Sequence, residues 1–154
     1  MNPAVRTIPF VKASACGNDF LLIDGALAPP DPAAFTRVIC DRHQGVGADG
    51  VEWMFPHFSV DAEIRLINAD GSPAEISGNG TRCVAAYLYA ERPRERLSIL
   101  TGAGAKICSL TSIMTANTNS KPKWVRPPSK VKSRSRLPAG KCAAFLSPWG
   151  IRTL

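Results

Sequence analysis

Asn68-Ala-Asp-Gly-Ser-Pro-Ala-Glu-Ile-Ser-Gly-Asn-Gly-Thr-Arg-Cys83 is the stretch that decides the fold. It begins with a turn of Asn, Asp and Gly and passes through Ser77 and Gly78-Asn-Gly80 into Cys83-Val-Ala-Ala-Tyr-Leu-Tyr-Ala90. That last run is helical in composition and nearly apolar on every side, so the helix is expected to be enclosed by other elements. The amides of Gly78, Asn79 and Gly80 at such a helix start can bind an anion, with the helix dipole adding to the attraction; a carboxylate is the natural ligand. On these residues alone a second reading stays open, in which Ser77 merely caps the helix and the glycines merely fit a crowded turn.

Upstream, Asp61-Ala-Glu-Ile-Arg-Leu-Ile67 alternates polar with apolar residues and predicts a strand with one buried face. Ile8-Pro-Phe-Val-Lys12 and Asp19-Phe-Leu-Leu-Ile23 predict two strands, with the bend at Gly17-Asn18. Asp31 is placed to cap a helix that has Pro32 at its first position and runs to about Cys40. Gly45-Val-Gly-Ala-Asp-Gly50 matches G-x-G-x-x-G. A dinucleotide site needs those glycines to open a helix, and the strand-like Val51-Glu-Trp-Met-Phe55 follows instead, so that reading is rejected. Downstream, Leu97-Ser-Ile-Leu100 is a further strand and Thr101-Gly-Ala-Gly104 a turn. The expected fold class is α+β, a mixed or antiparallel sheet wrapped around a central buried helix.

Charge divides the chain. Residues 1–105 hold nine Lys/Arg against all twelve Asp/Glu, a balance of −3, whereas residues 106–154 hold ten Lys/Arg and no acid. Two parts are therefore expected: a folded domain over 1–105, and over 106–154 a basic Pro/Ser-rich tail, disordered or non-native. Forty-five per cent hydrophobic residues exclude a disordered chain, and no run approaches the eighteen or so apolar residues of a membrane span. Without an apolar leader the expected location is cytoplasmic, with no membrane partner. The five cysteines have no metal-like spacing and are expected as free thiols; His43 and His57 lack a matching ligand set, so no metal is expected.

Residues 68–83 resemble the signature of the diaminopimelate epimerase family, N-x-D-G-S, four residues, then C-G-N-G/A-x-R. Phe10-Val-Lys12 with Gly17-Asn-Asp-Phe20 resembles the family's opening F-x-K…G-N-D-F. Cys40-Asp-Arg-His43…Gly45-Val-Gly-Ala-Asp-Gly50 is similar to its C-x-R-x-x-G-x-G-A-D-G loop, and Thr101-Gly-Ala-Gly104 to the T-x-A-G closing its first half. The matches cover roughly two-thirds of the chain. The resemblance implies one of two pseudo-symmetric domains that close over LL-diaminopimelate, within the wider proline-racemase-like superfamily. It implies an isomerase that interconverts LL- and meso-2,6-diaminopimelate in lysine and peptidoglycan precursor biosynthesis. Proton transfer there uses two cysteines, without pyridoxal phosphate or any other cofactor, and the full-length family implies a homodimer. By position, Asn18 and Asn68 match substrate-binding asparagines, and Gly78 and Asn79 match the amides that grip the substrate carboxylate.

Two features depart from the family pattern. Ser77 stands where the first catalytic cysteine belongs, and a serine hydroxyl without an adjacent base is a poor proton acceptor. Related members of the superfamily look similar in using Ser or Thr at one base position, so Ser77 stays the catalytic candidate. Cys83, six residues on and inside the helix, does not take over the role. The second half of the family pattern is missing. Back-translated with synonymous codons, Pro148-Trp-Gly-Ile-Arg-Thr-Leu154 reads in another frame as M-G-N-P-H-F, which resembles the M-G-N-P-H motif of the family's second domain. The same frame turns residues 113–125 into H-D-G-E-Y-E-F-E-T-E-M-G, which resembles the strand beginning that domain. One frameshift near residues 108–113 accounts for the charge boundary, the missing acids and the lost domain. The expectation is a truncated epimerase, inactive by itself. The alternatives are a non-catalytic carboxylate-binding half-domain and a protein whose basic tail, with Trp124 and Trp149, recruits nucleic acid; the second is the weaker, because the frameshift reading already explains the charge.

Overall fold

In the computed structural model, residues 7–112, 130–133 and 144–147 are described. Nine strands form one mixed sheet: β1 (Val11–Ala15), β2 (Asn18–Asp24), β3 (Gly50–Phe55), β4 (Ala62–Asn68), β5 (Pro73–Ala74), β6 (Arg96–Thr101), β7 (Gly104–Ser112), β8 (Lys130–Ser133) and β9 (Ala144–Ser147). The order is β8-β7-β6-β4-β3-β2-β1-β9, with β5 paired to β4 off this path. Two pairs are parallel, β2–β3 and β4–β6, and each is bridged by a helical crossover. Helix α1 (Pro32–Cys40) belongs to the first and α2 (Gly78–Glu91) to the second.

The two helices organise two cores. Ile39 and Cys40 of α1 pack with Leu21, Ile23, Val51 and Trp53. Cys83, Val84, Ala85 and Ala86 of α2 pack with Phe20, Leu22, Ile64, Leu66 and Ile99. Alternation along β2 and β3 sends successive side chains to opposite layers, so each strand feeds both cores. The sheet curls around α2, which contacts β1, β2, β6, β8 and β9. The fold is thus the α+β sheet around a central helix that the sequence implies.

Local chemistry explains the element boundaries. Asp31 caps α1, its Oδ1 accepting from the Ala34 amide at 2.9 Å, with Pro32 in the first turn. The bend after β1 lies one residue earlier than expected. Cys16 (φ 54°) and Gly17 (φ 90°) both take left-handed backbone, and Asn18 already pairs with Ala15 as the first residue of β2. Cys40, Cys83 and Cys108 are free and buried, whereas Cys16 is disulfide-bonded, which corrects the expectation of five free thiols. Strand β7 carries ordered pairing across residue 105, from Gly104 to Ser112. Most of the basic tail, including the segments read in the alternative frame (113–125 and 148–154) and both of its tryptophans, lies outside the described residues. Among the described residues no helix is long and apolar enough to cross a membrane.

Candidate active site

Ser77 is the N-cap of α2, with extended backbone (φ −119°, ψ 121°). Its Oγ accepts from the Gly80 amide at 3.1 Å, and its carbonyl accepts from both the amide and the hydroxyl of Thr81 at 2.8 Å. Gly78 and Asn79 are the first two residues of the helix, so their amides have no helical carbonyl behind them. All three residues are half-buried. A serine with its oxygen over an amide and two free-ended amides beside it makes a small electropositive patch, a floor for an anion.

Side chains from distant strands converge on this floor. Asn79 donates through Nδ2 to Asn18 Oδ1 at 2.8 Å, and Asn18 donates through its own Nδ2 to Asp49 Oδ2 at 2.9 Å. Arg82, one turn along α2, donates to Asn79 Oδ1 at 2.6 Å, which fixes the amide orientation that Asn18 requires. Asp49 is presented by the glycine-rich loop; its amide donates to the Asp19 carbonyl, and its carboxylate accepts from the Asp19 amide. Arg42 bridges both acids, at 2.6 Å to Asp19 and 2.9 Å to Asp49, and Lys12 lies 3.2 Å from Asp19. Burial pushes the Asp19 carboxyl up, but hydrogen bonds from Arg42 and Lys12 outweigh it and hold the group below the usual carboxylate range.

Asn68 reaches the site by register. It closes β4 opposite Gly50, the residue that follows Asp49, and its Nδ2 donates to Ser72 Oγ at 3.0 Å. Asn18 and Asn68 thus stand on either side of the start of β3, so the structure gathers Asn18, Asn68, Ser77, Gly78 and Asn79 at one end of the sheet. Cys83 faces away into the core; burial, and next the nearby Glu52, push its thiol up to about 12, so it supplies no thiolate near neutral pH.

Sequence reasoning passed over Glu52. It is 0% exposed in the middle of β3, and neither carboxyl oxygen has a hydrogen-bond partner. Its Oε1 occupies the space where a Cβ on Gly80 would stand. The signal was a lone acid inside the strand-like run Val51-Glu-Trp-Met-Phe55. Among the described residues no group of His, Cys, Asp and Glu is arranged to hold a metal ion.

The family model described as diaminopimelate epimerase matches residues 10–120. The chain belongs to the diaminopimelate epimerase family. Within that family it is 43% identical over 106 residues to the diaminopimelate epimerase of Pelotomaculum thermopropionicum, covering 66% of this chain and 38% of the relative. It is 46% identical over 98 residues to that of Acidiphilium cryptum, covering 62% and 35%. The chain therefore spans little more than a third of the curated epimerases it matches. Among solved structures, a phenazine biosynthesis protein of the PhzF family from Bacillus anthracis matches with a TM-score of 0.56 at 18% identity, over 70% of this chain and 37% of that one. A probable proline racemase from Agrobacterium radiobacter matches with a TM-score of 0.56 at 17% identity, over 68% and 37%. These two likenesses establish a shared fold.

Proposed function

We propose that this epimerase-family chain is the substrate-gripping N-terminal half of a diaminopimelate epimerase, with Ser77 at the position of one catalytic base. The observation that carries the reading is the pair of open amides at Gly78 and Asn79 beside Asn18, at the start of an enclosed helix. A carboxylate seated there gains charge-assisted hydrogen bonds and the field of the helix end. The same field stabilises charge that spreads onto that carboxylate when the adjacent α-carbon loses its proton. Asn18 and Asn68 then hold the rest of the amino acid. The chemistry is side-chain proton transfer, which calls for no cofactor.

Ser77 is a weak base, but the Gly80 amide already donates to its oxygen and favours negative charge there. Inversion needs an acid on the opposite face of the α-carbon, and that group belongs to the domain missing from residues 1–105. We propose accordingly that residues 1–105 act as the epimerase half-domain and that the sequence downstream of residues 108–113 is read out of frame. The acid-free, basic composition of residues 106–154 supports this.

Calorimetric titration with LL-diaminopimelate tests the grip: saturable binding is expected, and its loss on Asn79→Ala ties it to this site. Incubation with the same ligand in heavy water is expected to give no α-deuteration above background; clear exchange overturns the claim of inactivity. Sequencing the gene tests the frame, and an absence of epimerase-like sequence in every downstream frame overturns the frameshift.

A further inference from the structure

Glu52 is an expensive residue in this position. A carboxyl group with both oxygens buried and unpartnered forfeits its hydration without compensation. Its neighbours in register, Leu22 on β2 and Leu66 on β4, are apolar, as is Met54 on the same face of β3. From α2, Gly80 and the Cys83 thiol face it. The other charges felt by the adjacent Cys83 thiol are Arg82 on α2 and Asp19 on β2, the latter tied up by Lys12 and Arg42. Among the described residues, then, no cation pairs with Glu52. The nearest positive field is the start of α2 itself, against which its Oε1 lies at Gly80.

We infer that Glu52 sets the charge of the anion cradle from beneath: as a neutral acid it leaves the positive end of α2 to an incoming carboxylate, and as a carboxylate it competes for that same field. The inference rests on the reading of Gly78 and Asn79 as a carboxylate grip. Geometry makes the competition direct. Glu52 Oε1 lies against Gly80 from the buried side, and Gly80 directly follows the two cradle residues Gly78 and Asn79. Burial pushes the Glu52 carboxyl up to about 8, so the change of state falls just above neutral pH. No movement is required, because the coupling is Coulombic and acts across a water-poor layer. Linkage also makes it reciprocal: a carboxylate bound in the cradle must raise the pH at which Glu52 ionises by the logarithm of the factor by which ionised Glu52 weakens binding.

The test is calorimetry of LL-diaminopimelate with the full chain and with Glu52→Gln between pH 6 and pH 9.5. The substitution removes the titration and keeps the shape. Ligand amines titrate identically in both proteins, so the ratio of the two affinities isolates Glu52. The wild-type chain is expected to lose about three- to tenfold in affinity relative to E52Q across this range, the scale of a charge at a helix end. Carbon-13 NMR of glutamate-labelled chain, with and without ligand, reads the Glu52 titration itself; a midpoint near 8 that rises with ligand is expected. This measurement decides the matter in wild-type protein if E52Q does not fold. Parallel affinity curves, or a Glu52 midpoint in the ordinary range near 4.5, overturn the inference and leave the carboxylate grip standing. Absence of binding at every pH overturns the grip and the inference with it.

Discussion

Asn79 and Asn18, 61 residues apart, meet side chain to side chain at 2.8 Å and join the start of the enclosed helix to the first hairpin. Each has a second partner: Arg82 for Asn79 and Asp49 for Asn18. The result is a four-residue chain of hydrogen bonds with defined donor directions, Arg82 to Asn79 to Asn18 to Asp49. Removing a middle member strands a partly buried group on each side. Asn18→Ala is expected to lower stability by about 1–3 kcal/mol and to weaken diaminopimelate binding. Chemical denaturation alongside calorimetry measures both, and an unchanged denaturation midpoint would contradict the chain.

Gly80 and Glu52 share one space. Gly80→Ala puts a methyl group onto Oε1 of Glu52, so a loss of about 1–3 kcal/mol is expected from overpacking. Pairing it with Glu52→Ala vacates that space, and the double variant is expected to be more stable than the two single effects predict. A double-mutant cycle measures the coupling; strict additivity would show that the two positions do not touch.

Glu52 is expected to make stability fall as pH rises from mildly acidic to about 8. Its folded pKa, about 8, lies above the ordinary value of 4.5, so between these pH values the folded chain keeps a proton that the unfolded chain has released. Stability from this group is complete below pH 4.5 and is lost as pH rises towards 8. Glu52→Leu is expected to stabilise the protein by up to a few kcal/mol at pH 8 and above, and less at pH 5. Thermal melts at the two pH values check the sign.

Asp19 works in the opposite direction. Its carboxyl is held below the ordinary value, so its contribution is present above that value and is lost as pH falls through the lowered one. Asp19→Asn is expected to reduce stability at pH 7 and to flatten the acid limb of the stability profile below about pH 5. An acid limb unchanged by the substitution would remove Asp19 from the network.

Ser77→Cys restores the family's residue at the N-cap. The new thiol lies at a helix start, with Gly80's amide aimed at it, so alkylation near neutral pH is expected to be far faster than at the buried Cys40, Cys83 or Cys108. Mass spectrometry after a brief iodoacetamide pulse locates the label. Ser77→Ala forfeits the cap and is expected to cost about 1 kcal/mol.

Much of this was legible in the residues, and the exceptions have physical causes. Asp31-Pro32 and Ser77-Gly78 announce helix starts because capping is local chemistry, complete within four residues. The bend near Gly17 came one residue early because Cys16 itself adopts positive φ, which its side chain does not advertise. The ties among Asp19, Asp49 and Arg42 could not be read, since they exist only once β2 and β3 align in parallel and the glycine-rich loop folds back. Glu52 was visible as an oddity in an apolar run. Its meaning depended on which face of β3 it occupies and on α2 lying over that face.

The wrapping of α2 by the sheet has a mechanical consequence. A helix gripped along its flanks by several strands has nowhere to travel, so the amides at its tip form a rigid seat rather than a closing jaw.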